Sequence, residues 1–379
     1  MVLNCGSSSV KYQLFRGDVS LVRGSIERIG SPSCVHRRHG QAELTLDDST
    51  YPSAIRAAVA EVAISGVSIE CVGHRVVHGG PTLIRPTLVT EAVLQEIQRC
   101  ADLAPLHNPS NSQGIQIAAE LLAGVPQVAC FDTAFHHTIP EKAYRYAIPA
   151  HLADAHRIRR YGFHGLSFSY VSSLLTERRV IIAHLGSGCS AAAIIDGHSV
   201  DTTMGHTPME GIVMATRAGD VDAGVVLQLA ASMGLGQLSA LLNKRSGMLG
   251  LTDGISADMK EILALTRGGG VTAQVANEAV DVFVYSVQKK IGQLMAALSF
   301  DCDAIVFTGG IGENSAEIRT RVMGCFSALG IAVDKSLNNA VPSGGVISVP
   351  RSGCKTKVIV VKTNEELQIA RESIQVIRA

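Results

Sequence analysis

The sequence predicts an α/β protein with mostly parallel strands, and two observations support this fold class. Strand-like apolar runs alternate along the chain with segments whose apolar residues recur every three to four positions, as in helices packed on a parallel sheet. Two predicted hairpins with glycine- and serine-rich tips, at 2–14 and 179–196, lie about half a chain apart. Their repetition suggests that the chain contains two related α/β halves.

The first half begins with the earlier of these hairpins. Val2 starts a short strand, residues 6–9 form a turn, and alternating apolar residues from Val10 to Leu14 predict a returning strand. Helical spacing at 51–66 and 91–101 predicts two helices on either side of a strand at 71–77. A further strand at 127–131 ends at Asp132.

The second half repeats this order of elements. A buried strand at 179–183, a turn at 186–188 and a returning strand at 191–196 form the second hairpin. Apolar residues spaced by three and four predict the longest helix at 271–298. A strand at 303–307 precedes a predicted glycine-rich turn at 308–312 and a helix from Ser315, and the chain ends with a strand at 357–361 and a helix from Asn364.

The composition excludes several classes of protein. Apolar residues make up 46% of the chain and charged residues 17%, which excludes a disordered chain. The 33 basic and 33 acidic residues give a formal charge of +0, which argues against a general nucleic-acid binder and against a polybasic protein of the membrane surface. The 37 glycines and the absence of Trp favour backbone loops that hold a small polar ligand.

The cysteines and the apolar runs indicate the compartment. The nine cysteines form no CxxC motif, so we expect reduced thiols rather than a disulfide framework or a zinc ribbon. No apolar run approaches the roughly 20 residues that a membrane helix needs. Because Met1 leads straight into a predicted strand, we expect no signal peptide and a cytoplasmic protein.

Three glycine-rich turns, at 4–9, 184–190 and 309–315, each follow a predicted strand. Backbone N–H groups of such turns approach phosphates closely, and although each turn alone also fits an ordinary hairpin, three together favour nucleotide phosphates. The chain has no GxxxxGK[ST] motif of a P-loop. Residues 186–191 match GxGxxG/A, but a strand follows them where a dinucleotide site needs a helix, so we reject NAD.

Several polar residues interrupt apolar segments. Arg75 and Arg217 are candidates to hold an anion, with His107 and His164 as further donors, because a buried charge needs a partner. Taken singly, each of these histidines also fits a structural role and each arginine a surface position. Oxygen ligands suited to Mg²⁺ are offered by Asn4, Asp132 and Glu365, whereas no His/Cys cluster has zinc spacing.

All of these residues except Arg217 fall within sequence blocks at 4–9, 73–80, 104–109, 131–136, 161–165, 308–315 and 363–367. In order and spacing the blocks closely resemble the acetate kinase family, which includes propionate and butyrate kinases, and the resemblance covers nearly the whole chain. It implies the ribonuclease H-like fold of actin, Hsp70 and sugar kinases: two duplicated α/β domains with a nucleotide cleft between them, usually in a homodimer. The implied N-terminal domain comprises 1–136 and 367–379, and the C-terminal nucleotide-binding domain comprises 137–366.

The resemblance also implies a reaction, ATP + acetate ⇌ ADP + acetyl phosphate, with Mg²⁺ or alternatively Mn²⁺. Arg75 and Arg217 would hold the carboxylate and the phosphoryl group, His164 would donate to that group, and His107 would support the site. Asp132 and Glu365 would organise the Mg²⁺, next to Asn4 beside the phosphates. The implied wall around the acyl methyl group comprises Val77, Leu106, Phe163 and Pro208. The implied nucleotide residues are Ser9, Lys11, His184, Gly186, Gly188, Asp258, Gly309, Gly310, Gly312 and Asn314.

Some positions depart from the family pattern. Leu166, Phe168, Ser187 and Cys189 replace residues that are usually polar or smaller, and Met259 and Lys260 replace an aromatic residue and Arg near the expected adenine site. Three alternatives stay open beside an acetate kinase: a propionate kinase, a nucleotide-binding homologue with weakened catalysis, and a sugar kinase of the same fold. Two arginines favour an anionic acceptor over a sugar hydroxyl, and a small acyl pocket favours acetate.

Overall fold

Two mixed β-sheets frame the chain in the computed structural model, which describes residues 1–340, 345–349 and 353–379. The chain divides into two units. The first comprises Met1–His137, Gly165–Tyr170 and Asn364–Ala379, and the second comprises Thr138–His164 and Val171–Thr363. The domain boundaries that the resemblance implies stay a prediction.

The strands are β1 (Val2–Cys5), β2 (Ser9–Arg16), β3 (Val19–Glu27), β4 (Val35–Arg38), β5 (Leu44–Thr45), β6 (Val72–Val76), β7 (Thr87–Leu88), β8 (Gln127–Phe131), β9 (Arg179–Leu185), β10 (Cys189–Ile195), β11 (His198–Thr202), β12 (Ala304–Thr308), β13 (Gly345–Val346) and β14 (Lys357–Val360).

The α-helices are α1 (Tyr51–Ile64), α2 (Glu91–Arg99), α3 (Asn108–Leu121), α4 (Glu141–Tyr144), α5 (Ala150–Ala155), α6 (Gly165–Ser173), α7 (Ala223–Met233), α8 (Leu235–Lys244), α9 (Gly247–Leu251), α10 (Met259–Leu265), α11 (Gly270–Ala297), α12 (Gly309–Asn314), α13 (Ala316–Met323), α14 (Lys335–Ala340) and α15 (Glu365–Arg378). Short 3₁₀ turns cover Cys100–Asp102, Ala134–Thr138 and Gly324–Leu329. Within the described residues, no helix combines the length and the apolar character that crossing a membrane requires.

The two sheets repeat one topology. The first has the order β5-β4-β3-β2-β1-β6-β8-β7, in which β1, β2 and β3 are antiparallel neighbours while β6 lies parallel to both β1 and β8. The second has the order β11-β10-β9-β12-β14-β13, in which β9, β10 and β11 are antiparallel neighbours while β12 lies parallel to both β9 and β14. The shared core of five strands confirms the predicted α/β class and the predicted duplication. The expectation of mostly parallel strands is wrong, because among the described strand pairings four are parallel and eight are antiparallel. The hairpins and the edge strands add antiparallel neighbours to each parallel core.

Burial along the strands determines which side chains remain for a site. β8 and β12 are buried at every position, as expected for parallel strands covered on both faces. β2 instead alternates: Val10, Tyr12 and Leu14 are buried in the core with residues of α1, whereas Lys11 between them is exposed. The period of two therefore directs Lys11 to the face opposite this core.

Most predicted elements are confirmed to within a few residues, but one is wrong. The strand at 127–131 is β8, and the long helix at 271–298 is α11. The predicted glycine-rich turn at 308–312 is helical, because α12 begins at Gly309. The reason is local capping: the carboxylate of Glu313 accepts a hydrogen bond from Gly309 N at 3.0 Å, which satisfies a donor in the first turn.

Candidate active site

The first group of predicted site residues lies at the carboxyl ends of two parallel strands, β6 and β8. Arg75 belongs to β6, and Asp132 directly follows β8. The guanidinium donates from Nε to Asp132 Oδ1 at 3.0 Å and from Nη2 to Oδ2 at 2.6 Å, which is the bidentate geometry of a strong ion pair. The Asp132 side chain is 2% exposed and that of Arg75 is 23% exposed, so the pair faces outward through the arginine.

Three further predicted residues lie beside this pair. Arg75 Nη1 donates to Asn4 Oδ1 at 3.5 Å, and Lys11 pairs with Asn4 across the β1–β2 ladder. Glu365 begins α15 and interacts electrostatically with Arg75 and Asp132. The first unit therefore brings Asn4, Lys11, Arg75, Asp132 and Glu365 into one neighbourhood.

The charges in this group are strongly coupled. Burial raises the pKa of Glu365; Arg75 opposes this shift, and the carboxylates of Asp132 and Glu366 reinforce it. Burial alone would lower the pKa of Arg75, but Asp132 and Glu365 outweigh burial, so that its pKa is raised. Arg75 is thus a permanent cation, but it does not fully offset the cost of burying the Glu365 carboxylate.

The carboxylate and amide oxygens of this group are ligands that suit a Mg²⁺ ion. Among the described residues, no group of three or more His, Cys, Asp and Glu side chains is placed to hold a metal ion. Mg²⁺ does not require such a cage, because it usually keeps several waters and uses one or two carboxylates together with substrate phosphates. Asn4 offers an amide oxygen and Glu365 a carboxylate whose pKa is raised by burial, and a divalent cation would relieve that cost.

Two asparagines of α3 hold the backbone beyond Arg75, and our sequence analysis gave them no role. Asn111 Oδ1 accepts from Val77 N at 3.0 Å, and its Nδ2 donates to Cys5 O at 2.7 Å. Asn108 Oδ1 accepts from His78 N at 3.1 Å. These bonds fix the chain where β6 ends. The sequence carried one signal of this role, since both asparagines are polar residues in a helix that packs on apolar strands.

The remaining predicted residues of the first unit lie near these elements. His107 directly precedes α3 and is half-buried. Val77 is buried, whereas Leu106 is 43% exposed. Ser9 begins β2, and its carbonyl accepts from Gly6 N at 2.8 Å, which closes the first glycine-serine turn.

The second unit contains its own group of polar residues around the second glycine-rich hairpin. His164 has a left-handed backbone, φ 57°, and its Nδ1 is 2.8 Å from Ser190 Oγ on β10. Its ring stacks on that of His184 at 4.4 Å between centroids, with 21° between the planes. Backbone strain at a non-glycine residue of this kind is usually retained where a side chain must be aimed.

Arg217 lies against the same hairpin. Its Nη1 donates to the carbonyl oxygen of Pro208 at 3.0 Å and lies 3.6 Å from Met214 Sδ. A Cβ at Gly188 would lie 3.2 Å from His164 Nε2 and 3.8 Å from Arg217 Nη1. Gly188 therefore lets the turn approach both side chains, which brings His164, His184 and Arg217 together as predicted donors.

A cavity of about 1460 Å³ opens in the second unit beside this hairpin. Four predicted nucleotide residues line it: Gly186, Asp258, Gly310 and Asn314. Asp258 also caps the N-terminus of α10, because its Oδ1 accepts from Lys260 N at 2.8 Å. The other predicted glycines of this region support the backbone: Gly309 has φ +77° and lies tightly against Leu185, and Gly312 packs on Phe307.

The sequence itself matches known proteins over its whole length. A model of the Acetokinase family matches residues 1–371. The acetate kinase of Deinococcus deserti is 43% identical over 398 residues, which cover 100% of this chain and 98% of that protein. The chain belongs to the acetokinase family. Membership in this family makes the chain a kinase.

Solved structures of the acetokinase family share the fold. The crystal structure of Porphyromonas gingivalis acetate kinase superposes with a TM-score of 0.90 at 38% identity, covering 99% of this chain and 98% of that one. The crystal structure of a propionate kinase from Francisella tularensis gives a TM-score of 0.92 at 38% identity, with coverage of 99% and 98%. Both observations confirm the duplicated α/β fold that the resemblance implied.

Three of the departures from the family pattern, Leu166, Phe168 and Cys189, have structural explanations in this chain. Leu166 and Phe168 are buried in α6, where Leu166 packs on Val2 and Val128, so these positions serve the core. Cys189 Sγ donates to Gly186 O at 3.1 Å, and burial raises the pKa of this thiol to about 12. The thiol is therefore neutral at physiological pH and closes the turn instead of adding a charge to it.

Proposed function

We propose that this chain catalyses the reversible, in-line transfer of the γ-phosphoryl group of ATP to the carboxylate of acetate, giving ADP and acetyl phosphate. The observation that carries this proposal is the bidentate Arg75–Asp132 pair beside Asn4 and Glu365, in a member of the acetokinase family. It combines a fixed cation with oxygen ligands at the carboxyl ends of two parallel strands of a mixed sheet, which suits two anionic substrates.

The chemistry of the acceptor explains why the proposal needs no general base. A carboxylate is fully ionised at pH 7, so the nucleophile needs no deprotonation. The task is to bring two anions into line and to neutralise charge on the equatorial oxygens of the transferring group. Asp132, which accepts two hydrogen bonds from Arg75, suits the role of orienting that arginine and organising a metal site.

We assign the predicted arginines and histidines to the transferring group. Arg75 and Arg217 would hold the acetate carboxylate and the phosphoryl oxygens, and His164 would donate to the phosphoryl group. His107 would support the site from the start of α3. These roles are consistent with the hydrogen bonds that orient Arg75 and Arg217 within their own units.

Asn4 and Glu365 would hold Mg²⁺, or alternatively Mn²⁺, with Asp132 organising their surroundings. When bound, the ion supplies positive charge to the phosphate oxygens. Lys11, Ser9 and the turns at His184–Gly188 would hold the phosphates of ATP or ADP. Asp258, Gly309, Gly310, Gly312 and Asn314 would hold the nucleoside in the cavity of the second unit. We further propose that the protein forms a homodimer and is located in the cytoplasm. Its N-terminal domain would comprise 1–136 and 367–379, and its C-terminal domain would comprise 137–366.

Acetate is the preferred acceptor in this proposal, and propionate is the second candidate. Val77, Leu106, Phe163 and Pro208 would form the wall around the acyl group, and side chains of this kind would favour a methyl group. The similarity to a structure described as a propionate kinase supports the second candidate. One methylene group changes discrimination by only about 10–200-fold, so both acids can react at measurable rates.

A hydroxylamine trapping assay tests the proposal. The purified protein is incubated with ATP, Mg²⁺ and acetate, propionate, butyrate, glycerol or glucose, and acyl phosphate is measured as hydroxamate while ADP is measured separately. We expect the largest kcat/KM with acetate, a smaller one with propionate, and no ADP with glycerol or glucose. Nucleotide binding without acyl phosphate would instead indicate a homologue with weakened catalysis, and transfer to glucose or glycerol would indicate a sugar kinase.

A further inference from the structure

A half-buried ionic network of Tyr146, Arg160 and Glu210 lies in the second unit. Arg160 Nη2 donates to Glu210 Oε1 at 2.5 Å, and the hydroxyl of Tyr146 donates to the other carboxylate oxygen of Glu210. The side chains of Arg160 and Glu210 are 14% and 30% exposed. Both carboxylate oxygens are therefore engaged, and loss of one partner leaves a poorly solvated charge.

Two of these side chains, Arg160 and Tyr146, also bind the backbone between β11 and Arg217. Arg160 Nη1 donates to the carbonyl oxygens of Thr203 and Met204 at 3.3 and 3.1 Å. The hydroxyl of Tyr146 accepts from His206 N at 3.0 Å. Residues 203–206 are thus held by side chains that also hold Glu210, four residues farther along the chain.

The C-terminal end of this segment is also held by hydrogen bonds and an ion pair. Gly211 N donates to Asp220 Oδ1 at 2.8 Å, and Asp220 N donates to Gly211 O at 3.1 Å. Lys290 holds Asp220 in turn at 2.6 Å. A Cβ at Gly205 would overlap both Glu210 and Tyr146, so the segment is packed tightly onto the network. The carbonyl of Pro208 is therefore fixed between two anchored ends.

We propose that Glu210 is a positioning residue: together with Arg160 and Tyr146 it holds the Pro208 carbonyl where that carbonyl accepts from Arg217 Nη1, and so it sets the direction of the Arg217 guanidinium. This inference rests on the proposed role of Arg217 in phosphoryl transfer. The hydrogen bond from Arg217 to Pro208 O, 3.0 Å long, is the link between the network and the reaction.

We expect the substitution of Glu210 to slow the chemical step while leaving nucleotide binding nearly unchanged. Glu210→Gln keeps the size of the side chain but removes its charge, which releases Arg160 and loosens the Pro208 segment. A misplacement of about 1 Å in a group that orients the reacting atoms costs on the order of 100-fold in rate. We therefore expect kcat to fall roughly 10- to 100-fold with KM for ATP changed less than about threefold, because the cavity lined by Asp258 and Asn314 stays intact.

A double-mutant cycle separates positioning from a general structural role. Glu210→Gln, Arg217→Ala and the double variant are compared by kcat in the acetate reaction. If Glu210 acts through Arg217, its substitution produces little further loss once Arg217 is gone. An equal fold-loss from Glu210→Gln in both backgrounds would overturn the inference. Asp196→Asn is the matched control, since it breaks the exposed pair with Arg178 in the same unit and leaves kcat unchanged.

The outcomes distinguish this inference from the proposed function. If Arg217→Ala loses activity while Glu210→Gln does not, the inference fails and the proposed function stands. If the wild-type protein forms no acetyl phosphate, the proposed function fails, and this inference falls with it. Should Glu210→Gln fail to fold, Tyr146→Phe removes one hydrogen bond to the same carboxylate together with the bond from His206 N. The same KM-against-kcat split is then expected at about three- to tenfold, and unchanged kcat would overturn the inference.

Discussion

Replacement of Arg75 by Ala is expected to impair both turnover and stability, and the structure separates the two effects. Arginines that stabilise a transferring phosphoryl group contribute on the order of 10³–10⁵ in kcat, which corresponds to ~4–7 kcal/mol. The substitution also leaves Asp132, whose side chain is 2% exposed, without its bidentate partner. Breaking a buried pair costs about 3–5 kcal/mol, and the 23% exposure of Arg75 places the expected loss near ~3 kcal/mol.

The assay measures both quantities on the same preparations. Acetyl phosphate formation is followed by hydroxamate trapping at saturating ATP and acetate, and unfolding free energy is measured by urea titration. Arg75→Lys keeps the charge but loses the two-pronged geometry, so it should fall between wild type and Ala in both measurements. Arg37→Ala is the matched control: its side chain is 48% exposed and pairs with Glu27 and Glu43, so we expect unchanged kcat and less than about 1 kcal/mol of destabilisation.

A second substitution tests the physical cause of the instability. In the Arg75→Ala background, Asp132→Asn removes the unpaired carboxylate and should recover part of the lost stability, while activity stays lost. The reasoning is refuted if Arg75→Ala keeps more than about a tenth of wild-type kcat, or if Asp132→Asn in that background lowers stability further.

Three other predictions concern the surroundings of the site. Burial lowers the pKa of His74 to about 4, against a usual value near 6.5, despite its hydrogen bond to Gln127. At pH 5 the unfolded state therefore binds a proton at His74, whereas the folded state does not. In urea titrations, the free energy of unfolding of wild type should fall by about 2 kcal/mol more than that of His74→Gln between pH 7 and pH 5. Arg319→Met removes the buried guanidinium that donates to carbonyls at the end of α12, and it should raise KM for ATP at least tenfold in initial-rate measurements while KM for acetate stays constant; an unchanged KM for ATP in the folded variant would contradict this. Gly309→Ala places a residue with a Cβ at φ +77°, and that Cβ would lie 2.8 Å from Leu185 O. The substitution should therefore lower the free energy of unfolding by roughly 1–3 kcal/mol, and equal stability of variant and wild type would contradict this expectation.

The sequence carried most of the fold because its strongest signals are local. The apolar spacing of the helix at 271–298 and the buried run at 127–131 are sufficient to identify α11 and β8. The repeated hairpin predicted the duplication, which the sheet order then confirmed. The glycine-rich segment at 308–312 misled the prediction, because a cap from Glu313 outweighs the low helix propensity of glycine.

The site could be predicted only in part, because much of it depends on pairings between distant segments. Arg75 and Asp132 stood out as charged residues in apolar segments, but no spacing rule revealed that they form a bidentate pair across 57 positions. The network of Glu210, Arg160 and Tyr146 was missed for the same reason, since Tyr146 and Glu210 are 64 positions apart. These residues act together because folding brings distant segments of the chain into contact, and residue types alone do not predict such contacts.

The stereochemical course at phosphorus tests the central claim most directly. ATP made chiral at the γ-phosphorus with oxygen isotopes is reacted with acetate and the protein, and the configuration of the acetyl phosphate is determined. Direct attack by the acetate carboxylate requires a single in-line displacement, so the account predicts inversion. Retention would show that an enzyme group accepts the phosphoryl first, and it would contradict the roles assigned to Arg75 and Arg217.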